Sequence, residues 1–180
     1  RFLIYNDLSD FYRFSDQFEN SIKIVAEQVQ LASKQDNKLE LAKAYVQKGG
    51  LYLDKFDFHA NQGILDTLGV IVQENKKNKL IQAYYSLLQG HTQKALGENE
   101  EAIKTFQHAL TILDKQEGEF LLKAKVYYFL YAIYGNMNDV ENSMKYASLT
   151  VEFAKNSGNM NMLAKAYSGL AVSNYFKYEK

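Results

Sequence analysis

The chain has 180 residues, 47% of them hydrophobic, so it can bury a substantial core and is not a disordered polymer. Its 21 Lys and Arg balance 21 Asp and Glu, a net charge of zero that argues against direct nucleic-acid binding and against a polybasic membrane tether. Cysteine is absent, which excludes a disulfide framework, a thiolate metal site and a cysteine nucleophile; this fits a reducing cytoplasm and is also compatible with export.

Proline is absent as well, as suits a chain of long helices, since proline breaks helix interiors. No apolar run approaches a membrane span, and no signal-peptide pattern opens the chain. The sequence begins at Arg1 and reads as helix at once, so the expectation is a fragment of a longer protein.

The first segment places Leu3, Ile4, Leu8, Phe11 and Tyr12 at helical spacing. Asp16, three residues before Glu19, has the pattern of a capping box opening a second helix, whose apolar stripe is Ile22, Val25, Val29 and Ala32. Asn37 precedes Glu40 by the same spacing and opens a helix with Ala42, Tyr45, Gly49 and Tyr52. A turn at Lys55-Phe56-Asp57 leads to a helix with Ile64, Leu65 and Leu68, in which Gly63 and Gly69 mark either close helix approach or looseness. A third pair starts near Leu80 and contains the clearest amphipathic helix, with Ala102, Phe106, Ala109 and Leu113, for which Gly118 is the expected stop. The fourth carries Tyr127, Leu130 and Tyr134, a turn at Asn136-Met137-Asn138-Asp139, and a helix closed by Gly158. A last helix begins at Asn159. No strand pattern of useful length appears.

One series organises these segments. Tyr5, Tyr45, Tyr84, Tyr127 and Tyr167 recur at steps of 40, 39, 43 and 40 residues, and Ala42-Lys43-Ala44-Tyr45 returns as Ala124-Lys125-Val126-Tyr127 and Ala164-Lys165-Ala166-Tyr167. A fixed period in this range is the signature of a solenoid of helical hairpins, none able to bury its apolar face alone. The expected units are 1–36, 37–78, 79–118, 119–158 and a partial 159–180, about nine antiparallel helices in one continuous array.

These residues resemble the tetratricopeptide repeat family. The third unit is the best match, through Gly90, Gly97, Ala102, Phe106 and Ala109, while the second departs from the pattern at Asn61 and Leu68. The long period and the missing proline are similar to the extended repeats of bacterial regulatory and peptide-receptor proteins. The resemblance implies an all-α, right-handed α-α superhelix that is not an enzyme, uses no cofactor and holds a peptide or protein segment in its concave groove. Counting from the tyrosine series, the groove candidates are Asn6, Asp10 and Arg13 in the first unit and Lys43 and Gln47 in the second. They continue with Gln82, Tyr85, Gln89 and Gln93, then Lys125, Tyr128 and Asn136, and finally Lys165. Amide side chains offer both donor and acceptor to an extended backbone, and the recurring lysine could hold a carboxylate such as a peptide C-terminus. For any one of these residues the plain alternative is a solvated side chain.

His59, His91 and His108 lie in different units without ligand spacing, so no metal site is expected. No phosphate loop and no nucleophile motif is present. The sequence therefore points to a non-catalytic regulatory module of a larger bacterial signalling or transcription-regulating protein. The alternative is an assembly scaffold that self-associates through its open ends, with Ala166, Tyr167 and Leu170 of the last helix as the exposed candidates for a homodimer contact.

Overall fold

The computed structural model describes residues 2–178. Among them are nine α-helices and no strand: α1 (Phe2–Phe14), α2 (Phe18–Lys34), α3 (Lys38–Asp54), α4 (Phe58–Glu74), α5 (Lys79–Ala95), α6 (Asn99–Leu113), α7 (Phe120–Asn136), α8 (Val140–Ser157) and α9 (Met160–Tyr178). The chain forms two compact units that adjoin in sequence between Ala95 and Leu96, inside the third expected repeat.

Local chemistry sets the helix ends. The side chains of Asn37, Asp57 and Asp139 accept hydrogen bonds from the backbone N–H groups of Glu40, Ala60 and Asn142 at 3.1, 2.9 and 3.0 Å. Each satisfies a donor the helix cannot, and such a cap contributes about 1 kcal/mol. Four hairpins turn on a residue in the left-handed region, Asp16 (φ 54°), Phe56 (φ 58°), Gly97 (φ 83°) and Asn138 (φ 58°), spaced by 40, 41 and 41 residues. Asp16 is thus the turn residue and not the cap of α2. That cap is Gln17, which makes no side-chain capping bond. Gly158 (φ 67°) is the left-handed C-cap of α8, as expected. Gly118 does not stop α6, which ends at Leu113; it takes its positive φ (79°) in the link to α7.

The helix starts correct the register of the tyrosine series. Asn37, Asn78, Glu119 and Asn159 immediately precede α3, α5, α7 and α9, at steps of 41, 41 and 40. Eight residues further on stand Tyr45, Ser86, Tyr127 and Tyr167. Tyr84 is two residues short of the equivalent position, which explains the uneven steps of 39 and 43.

In the first unit α2 packs on α1 and α3, α4 packs on α3 and α5, and α3 lies beside α5. The core there includes Leu41, Leu53, Leu65, Leu68, Ile81 and Leu88. In the second unit α6 packs on α7, α8 packs on α7 and α9, and α7 lies beside α9. Ala124, Val151, Ala154, Met162 and Ala166 form one of its clusters. Every even-numbered helix with a described successor in its own unit thus sits against that odd-numbered helix.

Two contacts recur at equivalent positions with different residues. Between α3 and α5, Gly49 makes room for Leu88, whose methyls lie 2.7 Å from where a Cβ on Gly49 would stand. Between α7 and α9 the sizes are exchanged: Tyr131, the counterpart of Gly49, covers Gly169, the counterpart of Leu88, with ring carbons 2.9 and 3.0 Å from a Cβ there. Both glycines are therefore sites of close approach. At Gly69 a Cβ would stand at ordinary van der Waals distance from Tyr85, 3.8 Å, and Gly63 faces open space.

The second recurrence is polar. Asn61 of α4 donates to Thr92 Oγ1 of α5 at 2.8 Å, and Ser143 of α8 meets Ser173 of α9 at 3.2 Å, all four buried. Asn61 thereby explains its departure from the family pattern: the larger amide reaches a partner on the next helix. At the same two positions of α6 and α7 stand Ala102 and Ile133, both fully buried.

Candidate functional site

Within each unit, successive odd-numbered helices carry residues at equivalent positions of the register. In the corrected register the row two residues before the tyrosine position reads Lys43, Tyr84, Lys125 and Lys165. Within the first unit two of its members touch, with Lys43 Nζ 5.9 Å from the centroid of the Tyr84 ring. Such a cation–π contact contributes about 0.5–1 kcal/mol at an exposed site. Lys43 is also paired with Glu40 at 2.8 Å. Counting from Tyr84 concealed Tyr84 itself as a member of this row; the spacing of the cap residues Asn37, Asn78 and Glu119 was the signal that finds it.

The structure places the other candidates unevenly. Asn6 is turned toward α2, where its Oδ1 accepts from Gln28 Nε2 at 3.0 Å. Arg13 forms a two-point ion pair with Asp54 of α3, at 2.6 and 2.8 Å, and so braces α1 against α3. Asp10 and Gln47 are half-buried on α1 and α3. Gln82 is tied to the link before α5, donating to the Lys76 carbonyl at 2.8 Å and accepting from Lys79 at 3.2 Å. Tyr85 faces α4 rather than the row, over Gly69. There it helps line a shallow depression of about 580 Å³ with Leu65, Asp66, Val70, Gln73 and Glu74. Gln89 and Gln93 are half-buried on α5, shifted from the row by the register error.

In the second unit Lys125 is exposed and Lys165 half-buried. Tyr128 leans on the cluster of Ala124, Val151 and Ala166, with its ring 5.6 Å from Tyr131. Asn136 is exposed at the last residue of α7. Among the described residues no three His, Asp or Glu stand close enough to hold a metal ion. No described helix is long and apolar enough to cross a membrane.

The terminal helix also needs a correction. Ala166, expected on an exposed face, is buried against α7 and α8, and Leu170 packs on the same cluster. The open stripe of α9 runs instead through Ala164, Tyr167 and Ala171.

Hairpins of about 40 residues, each even-numbered helix packed on the odd-numbered helix that follows it, define a protein of the helical-repeat class. The tetratricopeptide repeat family matches residues 81–112, within the unit that most resembles it. A solved structure from Pyrococcus horikoshii, a signal transduction ATPase with numerous domains that carries a tetratricopeptide repeat sensor, is similar in fold. Its TM-score is 0.64 at 20% identity, over 94% of this chain and 25% of that one. The chain thus spans about a quarter of the protein it matches. No curated protein matches the sequence. The described residues form an all-α helical repeat, and residues 81–112 within it match the tetratricopeptide repeat.

Proposed function

We propose that the domain is a non-catalytic sensor module of a larger signalling or transcription-regulating protein, bacterial and cytoplasmic, which binds a peptide or protein segment on its odd-numbered helices. The observation that carries this reading is the contact of Lys43 with Tyr84, equivalent residues of adjacent helices that together offer a cation beside an aromatic face. An acidic or C-terminal carboxylate on Lys43, with an apolar side chain on Tyr84, uses both. The likeness in fold to a sensor region supports the regulatory part of the reading. Each hydrogen bond to such a segment adds about 0.5–1.5 kcal/mol, so several along a helix row are needed for useful affinity.

Calorimetry with a library of extended peptides, each with a free and an amidated C-terminus, tests the proposal. Lys43→Ala and Tyr84→Ala are expected to weaken binding by about tenfold each. Equal binding by both variants and the native protein removes this row from the site.

A second reading has its own observation. Ala164 is exposed on α9, whereas its counterparts Ala42, Ala83 and Ala124 are fully buried. That favours association through α9, as in an assembly scaffold. Sedimentation across a range of concentrations tests it, and a monomer throughout rejects it.

A further inference from the structure

Helix α4 departs from its equivalents on one face. Counted from the caps Gln17, Asp57, Glu98 and Asp139, the position of Gly69 is aliphatic in the other even-numbered helices, as Val29, Leu110 and Val151. The next position is polar and exposed in those helices, as Gln30, Thr111 and Glu152, whereas α4 has Val70, 58% exposed. On the helix that follows, Tyr85 stands where Ala44, Val126 and Ala166 are buried.

These exchanges do not close the contact. Tyr85 remains half-buried, and a Cβ on Gly69 would meet its ring at an ordinary 3.8 Å. Packing therefore does not demand a glycine that a helix interior disfavours. Gly69 instead lines the depression of about 580 Å³, together with Leu65, Val70 and Tyr85, and a larger side chain there would project into it. The charged part of the lining is anionic. Asp66 and Glu74 stand eight residues apart on α4, about 12 Å along the helix, and no cation lines the space. Asp66 accepts from the neutral amide of Gln62 at 2.8 Å. Lys38, on whose ionisation Glu74 acts, is held by Asp36 at 2.9 Å.

We propose that this depression holds an extended, basic segment of a partner protein, in which two arginines flank an aliphatic residue in the pattern Arg-x-Leu-x-Arg. Alternate side chains of an extended chain share a face, and residues four apart are separated by about 13 Å, which matches the spacing of Asp66 and Glu74. Arginine suits these carboxylates better than lysine, because its planar fork binds both oxygens and lies flat on a ring such as that of Tyr85. The aliphatic side chain between them rests on Gly69 and Val70. Arginine occurs in this chain only at positions 1 and 13, and Arg13 is bound to Asp54, so a partner supplies the guanidinium groups. A second copy does not supply the segment either: the only basic residues four apart are Lys34 and Lys38, with Asp36 between them. The site is separate from the Lys43–Tyr84 row and selects the opposite charge.

Fluorescence anisotropy with a labelled peptide, Ala-Arg-Ser-Leu-Ser-Arg-Ala, tests the proposal. The peptide is amidated so that no carboxylate is offered to Lys43. Saturable binding is expected, weakening as salt is raised. Asp66→Asn and Gly69→Leu are each expected to weaken it about tenfold. Gly69→Leu places a better helix former in α4, so its thermal midpoint is expected not to fall, and a folding defect cannot mimic the loss. Lys43→Ala is expected to bind this peptide as the native protein does, which keeps failure of the row distinguishable from failure of this site. Absence of saturable binding up to about 1 mM peptide overturns the proposal. Equal binding by the native protein and both depression variants does so too, as does equal binding of the charge-reversed peptide Ala-Glu-Ser-Leu-Ser-Glu-Ala.

Discussion

Phe56 holds a left-handed backbone where the other hairpins use Asp, Gly or Asn, and its ring is 77% exposed. A bulky residue in that region costs about 1–2 kcal/mol, and little packing offsets it. Phe56→Gly is therefore expected to raise stability by about 0.5–1 kcal/mol in chemical denaturation, the gain reduced by the greater freedom of glycine in the unfolded chain. The opposite sign is expected at the two close contacts. Gly169→Ala drives a methyl into the Tyr131 ring, and such overpacking costs about 1–3 kcal/mol. In a double-mutant cycle with Tyr131→Ala the penalty of Gly169→Ala shrinks, because the atoms it meets are gone. Additive losses would place the clash elsewhere. At this scale the sequence was legible where side-chain chemistry is local. Asn37 capping Glu40 and Gly158 closing α8 follow from residue type alone. Gly49 and Gly169 did not, because what a glycine admits depends on a side chain some 40 residues away in the chain.

Between elements, the buried pair Asn61–Thr92 is the most consequential contact, since a half-satisfied polar pair is worse than an apolar one. Thr92→Val keeps the shape and removes the acceptor, and is expected to cost about 1–3 kcal/mol. Combining Asn61→Ala with Thr92→Ile rebuilds the pair found at Ala102 and Ile133, and is expected to recover much of that loss. A double variant weaker than Thr92→Val alone would show that the amide contributes more than its hydrogen bond. Helix number, the hairpin pattern and the third unit's family match were readable from periodicity, because amphipathic stripes and caps are encoded within each helix. The register was not. Tyrosine marks the position in α3, α7 and α9, yet Ser86 occupies it in α5 while Tyr84 sits two residues earlier on a different face. Burial decides which face a residue takes, and a tyrosine suits either. Lys43, Lys125 and Lys165 share one register position, while Gln82 is tied to the preceding link and Tyr85 faces α4.

For the molecule as a whole, ionisation bears on the second unit. Burial holds the phenols of Tyr127, Tyr131 and Tyr134 above the ordinary tyrosine value of 10.0; nearby Asp114, Tyr146 and Glu152 add to the effect at Tyr127. All three belong to α7 in the second unit. Folded protein keeps these protons where the unfolded chain releases them, so their stabilising contribution is full below about pH 10 and is lost as pH rises through the higher folded values. The second unit is accordingly expected to lose stability as pH rises through this range, read as lost exchange protection of the amides of α7. Tyr127→Phe, which cannot ionise, is expected to raise the alkaline midpoint. An unchanged midpoint would assign the transition to other groups. Zero net charge brings a further expectation of minimal solubility near pH 7.0, where self-repulsion is weakest.

The exchanged sizes at Gly49–Leu88 and Tyr131–Gly169 bear on how such a domain can evolve. Repeats of this length look interchangeable, as if one could be duplicated, deleted or shuffled without loss. Here α3 is keyed to α5, and α7 to α9. Placing α5 after α7 would set Leu88 against Tyr131, two large side chains in space for one. Placing α9 after α3 would set Gly169 against Gly49 and leave a void. Recombination between these repeats therefore produces misfits at the seams unless both faces change together, and the order of the helices is inherited as a unit.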